Sequence, residues 1–232
     1  MLESSRRQIY LTVLQNEVNG NGSEMADLIS SDLSADFVRT LTDAAAHERD
    51  RKSARPSAKA VVNALLQAEK SVKQQRLTYP PESLLGNWRL CFTAQGQAHL
   101  KGGAALGKGF YIPQILKAQI SFGTPESTAL QSPSQLEIGN SLQCGSLLFK
   151  LTGPARYLGK KNLLAFDFTQ MQLRLFGRAV YSGKFRGGKA KTTDLSAQSI
   201  TILPFFAFFL ITENFIAARG RGGGLALWVK SV

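Results

Sequence analysis

From residue 84 onward apolar residues recur at every second position, and this period constrains the fold of the chain more than any other feature. Trp88, Leu90 and Phe92 alternate with Arg89, Cys91 and Thr93; Leu147, Phe149 and Leu151 alternate with Leu148 and Lys150; Leu164, Phe166 and Phe168 alternate with Ala165 and Asp167. A period of two places successive side chains on opposite faces of a pleated strand. Clusters rich in Gly, Pro or basic residues at Gly102-Gly103, Gly123-Thr124-Pro125, Gly153-Pro154, Gly159 to Asn162 and Gly187-Gly188 divide the region into roughly eight strands with short connections, the spacing of a sandwich or an up-and-down barrel. The barrel is the expected form. Eight strands closed on themselves have no free edge, and their interior is just wide enough to be filled by side chains or to hold one small apolar ligand.

Residues 1–83 follow a different period and read as a helical N-terminal segment. Ile9, Val13, Leu14 and Val18 recur at helical spacing before the turn Asn19 to Gly22, and Leu33, Phe37, Val38 and Leu41 repeat the pattern up to about Ala46. A basic connector, His47 to Arg55, leads to Pro56, which suits the first turn of the next helix because it has no amide hydrogen to lose there. From about Ser57, residues Val61, Val62, Leu65, Leu66, Ala68, Glu69 and Val72 form one largely apolar stripe, and Tyr79-Pro80-Pro81 ends it. The fold expected is therefore α+β, with helices over 1–83 and an antiparallel barrel over 84–232.

Charge separates along the same boundary. Residues 1–83 hold eleven Lys/Arg and eleven Asp/Glu, whereas residues 84–232 hold seventeen against five, so the formal net charge of +12 belongs entirely to the strand region. A field of that sign attracts an anionic membrane, a nucleic acid or an acidic protein over about a Debye length. The longest apolar stretch, Ile200 to Ile211, is twelve residues interrupted by Pro204, short of the roughly 18 needed to span a bilayer as a helix. The opening residues lack an apolar signal core followed by a small-residue cleavage site. Cys91 and Cys144 are the only cysteines, and two buried thiols in a reducing compartment are expected.

Catalytic and metal-binding patterns are not visible. His47 and His99 are the only histidines, neither cysteine belongs to a Cys-x-x-Cys pair, the five acidic residues of the strand region are scattered, and no Gly-x-Ser-x-Gly elbow occurs. The expectation is a protein that is not an enzyme and uses no cofactor or metal. Arg219 to Gly224 has some likeness to an RGG element, but one copy followed directly by the strand pattern Leu225, Leu227, Val229 reads better as a turn between strands, so nucleic acid is not the expected partner.

Two segments carry a family resemblance. Leu84-Leu85-Gly86-Asn87-Trp88-Arg89-Leu90-Cys91-Phe92-Thr93 resembles the Leu-x-Gly-x-Trp-x-Leu-x-Tyr/Phe-Thr opening of the plastid lipid-associated protein (PAP)/fibrillin domain and, more loosely, the Gly-x-Trp that begins lipocalin barrels. Ile216 to Trp228, with Arg219-Gly220 and the glycines that follow, is similar to the C-terminal Arg-Gly-x-Gly-Gly-x-Leu segment of that family. The chain departs from the pattern where many members carry an Asp and then an Arg ahead of the Arg-Gly pair; here Glu213 stands near the first and Ile216 at the second.

The resemblance implies a lipocalin-like barrel over 84–232 and a photosynthetic setting. Its members sit peripherally on thylakoids and plastoglobules, and are linked to carotenoids, prenylquinones and protection under stress. The function expected is a lipid-associated protein that binds or carries a hydrophobic molecule such as a prenylquinone, a carotenoid or an acyl lipid at an anionic membrane surface. The alternative is a scaffold docked on an enzyme of quinone or pigment synthesis. Candidate residues for a lipid pocket or for closing the barrel are Gly86, Trp88, Phe92, Phe149, Phe166, Phe168, Phe206, Phe208, Arg219 and Gly220. In a closed barrel the first and last strands are neighbours, so Trp88 is expected to meet Arg219 or Arg221, guanidinium over indole.

Overall fold

The computed structural model describes residues 35–50, 54–101, 104–124, 135–185 and 202–231. The first expected helix, Ile9 to Val18, and the punctuation at Gly102-Gly103, Pro125 and Gly187-Gly188 lie outside them. Two α-helices are described, α1 (Ala35–Arg49) and α2 (Ala58–Gln75), followed by a 3-10 turn at Pro81–Leu84. The strands are β1 (Gly86–Lys101), β2 (Ala104–Tyr111), β3 (Leu116–Gly123), β4 (Gln135–Cys144), β5 (Leu147–Leu158), β6 (Leu163–Phe166), β7 (Gln170–Leu175), β8 (Arg178–Lys184), β9 (Phe205–Ile211), β10 (Phe215–Gly220) and β11 (Leu225–Lys230).

Helix α2 begins beside Ser57 as expected but ends at Gln75, ahead of the expected stop at Tyr79-Pro80-Pro81. The Ser57 side chain accepts from the Ala60 amide at 3.2 Å and caps the first turn, so Pro56 precedes the cap instead of entering the helix; its carbonyl accepts from the Tyr111 hydroxyl at 2.8 Å. At the other end Arg76 turns left-handed and its amide returns to the Val72 carbonyl. The apolar stripe from Val61 to Val72 is buried.

Eight of the strands close into an antiparallel ring in the order β1-β11-β10-β9-β6-β5-β4-β3 and back to β1. The other three lie off it: β2 extends the upper edge of β1, and β7 and β8 add to the lower-numbered half of β5. Gly153-Pro154, expected between strands, sits inside β5, where the strand changes partner. Residues 155–158 pair with β6 in the ring, and residues 147–152 pair with β7 outside it. Proline is tolerated there because the break between the two partners asks no amide of it. Gly153 is obligatory in this geometry: a Cβ at that position would lie 1.9 Å from the Asp167 carbonyl oxygen.

Two bulges divide the apolar residues between two cores. Leu90 pairs with Trp228 and Phe92 with Leu227, so Cys91 is an extra residue and the expected alternation of Trp88, Leu90 and Phe92 breaks. Trp88 and Leu90 face the barrel interior, whereas Cys91, Phe92 and Ala94 face the helices. Phe92 therefore packs beneath α2, its ring edge-on to Tyr111 at 5.0 Å, and not in the barrel interior. In β9 a second shift leaves Phe209 between Phe208 and Leu210, which pair with Ala218 and Ala217; Phe208 points inward while Phe209 and Leu210 pack outward on the helices. The two-faced burial expected of this phenylalanine-rich segment is thus present. Of the two thiols, Cys91 is buried and Cys144 is exposed, because Cys144 ends β4 beyond the ring.

The lower end of the barrel is sealed by one buried asparagine. Asn162 Oδ1 accepts from the Tyr79 amide at 3.0 Å and from the Tyr157 hydroxyl at 3.2 Å, and its Nδ2 donates to the Leu77 carbonyl at 2.7 Å. Its own backbone is left-handed, φ 48°, a conformation that Asn adopts more readily than most residues. Asn162→Ala strands three polar groups on two segments, the Leu77 carbonyl and Tyr79 amide ahead of the barrel and the Tyr157 hydroxyl on β5. The expected loss is about 2 to 4 kcal/mol, read as a lower urea midpoint at unchanged slope.

Candidate functional site

Antiparallel register decides which residues meet at each end of the barrel. Trp88 pairs with Lys230, and six residues on Ala94 pairs with Leu225, whose partner in β10 is Arg219. At about 3.3 Å per residue, Trp88 and Arg219 are separated by roughly 20 Å along the strands. The expected Trp88–Arg219 or Trp88–Arg221 contact is therefore replaced by another cation. Lys230 Nζ lies 4.2 Å from the centre of the Trp88 ring and donates to the Leu85 carbonyl at 2.7 Å, while Trp88 Nε1 donates to the Leu84 carbonyl at 2.7 Å. Burial lowers the pKa of Lys230. Gly86 belongs to the same lower end: its φ is +116°, and a Cβ there would approach Lys230 Nζ to 2.9 Å. The first and last strands do close the ring, but through Gly86, Trp88 and Lys230.

Arg219 works at the upper end, on the outer face. Its guanidinium bonds both Glu69 oxygens, at 2.8 and 2.5 Å, and donates to the Gly223 carbonyl; Lys73 reaches Glu69 Oε1 at 2.8 Å. Gly220 begins the β10–β11 turn, its amide donating to the Gly224 carbonyl at 2.9 Å. Arg221 donates to the carbonyls of Ile202 and Leu203. The Arg-Gly segment is thus a strand turn clamped to α2. Beside it a shallow cleft of about 440 Å³ is lined by Leu66, Glu69, Lys70, Lys73, Gln74, His99 and Arg219. Its central charges bind one another, so the cleft reads as the seam between helix and barrel.

Four of the candidate phenylalanines come together inside the barrel. Phe166 lies 5.1 Å from Phe168 and stacks on Phe206 at 5.2 Å; Phe206 contacts Phe208 at 6.1 Å and Trp228 edge-on at 5.5 Å; Phe208 also meets Phe122 at 6.0 Å. Each such pair contributes about 0.5 to 1.5 kcal/mol beyond its buried area. The interior is graded. Trp88, Leu84, Ile138 and Leu164 toward the lower end are fully buried, as is Ala218 beside Arg219; of the partly buried residues Leu85 lies at the lower end, and Leu90, Phe168, Phe206 and Ala226 lie toward the Arg219 end. The four partly buried apolar side chains at the Arg219 end mark the mouth of the barrel.

The mouth opens onto a feature the sequence did not disclose. Strands β3, β4 and β5 run past the ring and, with β7 and β8, make a five-stranded flange. Pairing sets Ala118, Leu142, Phe149, Leu173 and Tyr181 in one row across it, with Leu116, Cys144, Leu147 and Leu175 beyond that row and Ile120, Asn140, Leu151 and Met171 nearer the ring. Because Ile120 is part of the barrel core, all three rows continue the interior face. The opposite face carries Lys117, Gln143, Leu148 and Arg174, then Gln119, Ser141, Lys150, Gln172 and Ser182, and is mostly polar. Phe149, expected in the pocket, lies at the centre of this flange instead. Five strands at about 4.8 Å and three rows at about 6.6 Å give an apolar face of a few hundred Å², the range in which exposed apolar surface on a monomer is often functional.

Phe122, Trp228, Leu90 and Ala226 at the core and mouth, and Leu142, Leu173 and Leu175 on the flange, were not among the sequence candidates. The alternation of Met171, Leu173 and Leu175, broken by Phe176-Gly177, was the available signal for the flange hairpin. Cys91 has no nucleophilic character: its thiol faces the Leu227 carbonyl at 3.3 Å, and burial, aided by nearby Glu48, pushes it far above the ordinary thiol range, so it stays protonated. Among the described residues no group of three or more His, Cys, Asp or Glu is placed to hold a metal ion, and no helix is long and apolar enough to cross a membrane. No family model, curated protein or solved structure matches the chain.

The clamp on α2 has a pH signature. Burial raises the Glu69 pKa, but hydrogen bonds from Arg219 and Lys73 outweigh it and hold the carboxyl below its ordinary 4.5. A depressed folded-state pKa gives stability that is present above the unfolded value and lost as pH falls through the lower folded value. Glu69→Gln should flatten the stability curve below about pH 4.5 and cost roughly 1.5 to 3 kcal/mol near neutrality, both measurable by chemical denaturation across pH.

Proposed function

We propose that this protein is a lipid-associated barrel of the PAP/fibrillin kind, lipocalin-like in architecture, which binds one hydrophobic molecule at the barrel mouth and works peripherally at an anionic photosynthetic membrane. The observation that carries the reading is the continuity of apolar surface from Phe206, Phe168 and Leu90 at the mouth onto Phe149, Leu142 and Leu173 of the flange. Apolar walls with few polar groups suit prenyl or acyl chains, which need area and not directed hydrogen bonds. Packed rings occupy the lower barrel, so the chain of such a ligand lies along the mouth and flange. The excess of cations in the strand region favours an anionic leaflet, where each Lys or Arg near the surface is worth about 1 kcal/mol.

The same exposed apolar face supports a second reading, a scaffold whose flange docks on an enzyme of prenylquinone or pigment synthesis. Purification without detergent followed by untargeted lipid extraction separates the two. A prenyl or acyl lipid is expected to accompany the protein, and Ala226→Phe, which adds a ring at the mouth, should reduce it severalfold while the thermal transition remains cooperative. An empty barrel with a protein partner in equal amount would establish the scaffold instead.

A further inference from the structure

Four strand ends lie side by side at the outer edge of the flange. Leu116 pairs with Cys144, Cys144 with Leu147 and Leu147 with Leu175, while the Phe176 amide donates to the Ser146 carbonyl at 3.1 Å. The edge is apolar and open to solvent: Phe176 is 79% exposed, Ile115 71%, and Leu147 and Leu175 42% each.

Phe176 is anomalous there. It has φ +48° and is followed by Gly177 at φ +76°, the two positive angles of a type I′ hairpin turn. That first position favours Asn, Asp or Gly, and a bulky residue in the left-handed region is sterically disfavoured. The turn is held by Arg174 Nη2 donating to the Gly177 carbonyl at 2.8 Å, yet the Phe176 ring remains the most exposed large apolar side chain described.

Charge surrounds the edge with one sign. Residues 115–118, 140–152 and 170–184 contain Lys117, Lys150, Arg174, Arg178 and Lys184, all exposed, and not one Asp or Glu. Lys117 stands two residues from Ile115, Arg174 two from Phe176 and Lys150 three from Leu147, while Arg178 pairs with Leu175 and flanks the edge itself. These offsets place Lys117, Arg174 and Lys150 about 7 to 10 Å behind the apolar tip, similar to the depth to which interfacial apolar groups enter a bilayer, and the long Arg178 side chain can reach back to the same level.

We infer that this edge docks the protein on an anionic bilayer: Phe176, Ile115, Leu147 and Leu175 enter the acyl region, and Lys117, Lys150, Arg174 and Arg178 lie among the headgroup phosphates. The apolar face of the flange then runs from the bilayer to the barrel mouth and gives a hydrophobic ligand a continuous path between them. A second copy of the chain is a poor occupant, because a two-fold interface sets each patch against itself and brings these cations together without a carboxylate. The inference rests on the lipid-associated reading above and names the element that performs it.

Cys144 supplies the probe. It is exposed on the apolar face, whereas Cys91 is buried and protonated, so an environment-sensitive fluorophore attaches at Cys144 in the intact protein. With vesicles of phosphatidylglycerol mixed into phosphatidylcholine, the emission should shift to the blue and be quenched by acyl-chain quenchers, and flotation should weaken as salt rises. Phe176→Asn installs a residue the turn prefers, so it should keep or raise the thermal midpoint while weakening vesicle binding about 10-fold or more. Lys150→Gln and Lys117→Gln should each weaken it about fivefold. Flotation with an unshifted probe and wild-type binding by Phe176→Asn would overturn the docking edge and leave lipid association standing. Failure to float on these vesicles and on pure phosphatidylcholine would overturn both. A lipid-independent shift that tracks a dimer in sedimentation would assign the edge to a second copy.

Discussion

The pairing of the first strand with the last holds the rest of the molecule in place. Residues 88–94 of β1 run against 225–230 of β11, and only this contact converts an open meander into a ring with an inside. Without it, Trp88 and Trp228 would lie on the edges of a sheet and not face a common core. The seam is reinforced at its lower end by Lys230, which covers the Trp88 ring and satisfies the Leu85 carbonyl. At its upper end the Arg219–Glu69 ion pair ties the adjoining hairpin to α2. Helix α1 adds Glu48 to Arg89 at 2.9 Å, and Arg49 donates to Asn214 at 2.7 Å, so both helices are fixed to the same side of the barrel.

That asymmetry shapes the surface. One flank of the ring, built from β1, β9, β10 and β11, is buried beneath the helices, and the bulges at Cys91 and Phe209 turn extra apolar residues toward them. Among the described residues no helix lies over the opposite flank. There β3, β4 and β5 outrun the ring, and the fork at Gly153-Pro154 lets β6 close the barrel while β7 and β8 widen the flange. Apolar residues that elsewhere would be core are left facing outward in an ordered row. The exposed flange is thus a consequence of strand length, since five strands extend where the ring supplies no facing wall.

Much of this was legible before the fold was known. The change of period near residue 84, the stripe from Val61 to Val72 and the strands around Phe149 and Phe166 correspond to the observed elements, because periodicity reports directly which face of a local element is buried. Phe92 and Cys144 show where such reading stops. A bulge shifts Phe92 to the other face without altering its neighbours in sequence, and Cys144 has the local surroundings of a core residue yet ends a strand beyond the ring. The Trp88–Arg219 expectation failed for a related reason: closure was anticipated, but antiparallel register was needed to know which end of β11 lies beside Gly86.

Local chemistry along the chain thus determined the helices, the strands, the turn at Gly220 to Gly224, the basic character of the second half and the richness in phenylalanine. Tertiary structure alone decided that Phe166, Phe168, Phe206 and Phe208 share one interior while Phe149 does not, that Lys230 is the cation over Trp88, and that an apolar flange continues the barrel mouth. The physical reason is that burial is a property of pairs of segments distant in sequence. A strand's period specifies two faces, and only register, bulges and the partner across the sheet determine what each face meets.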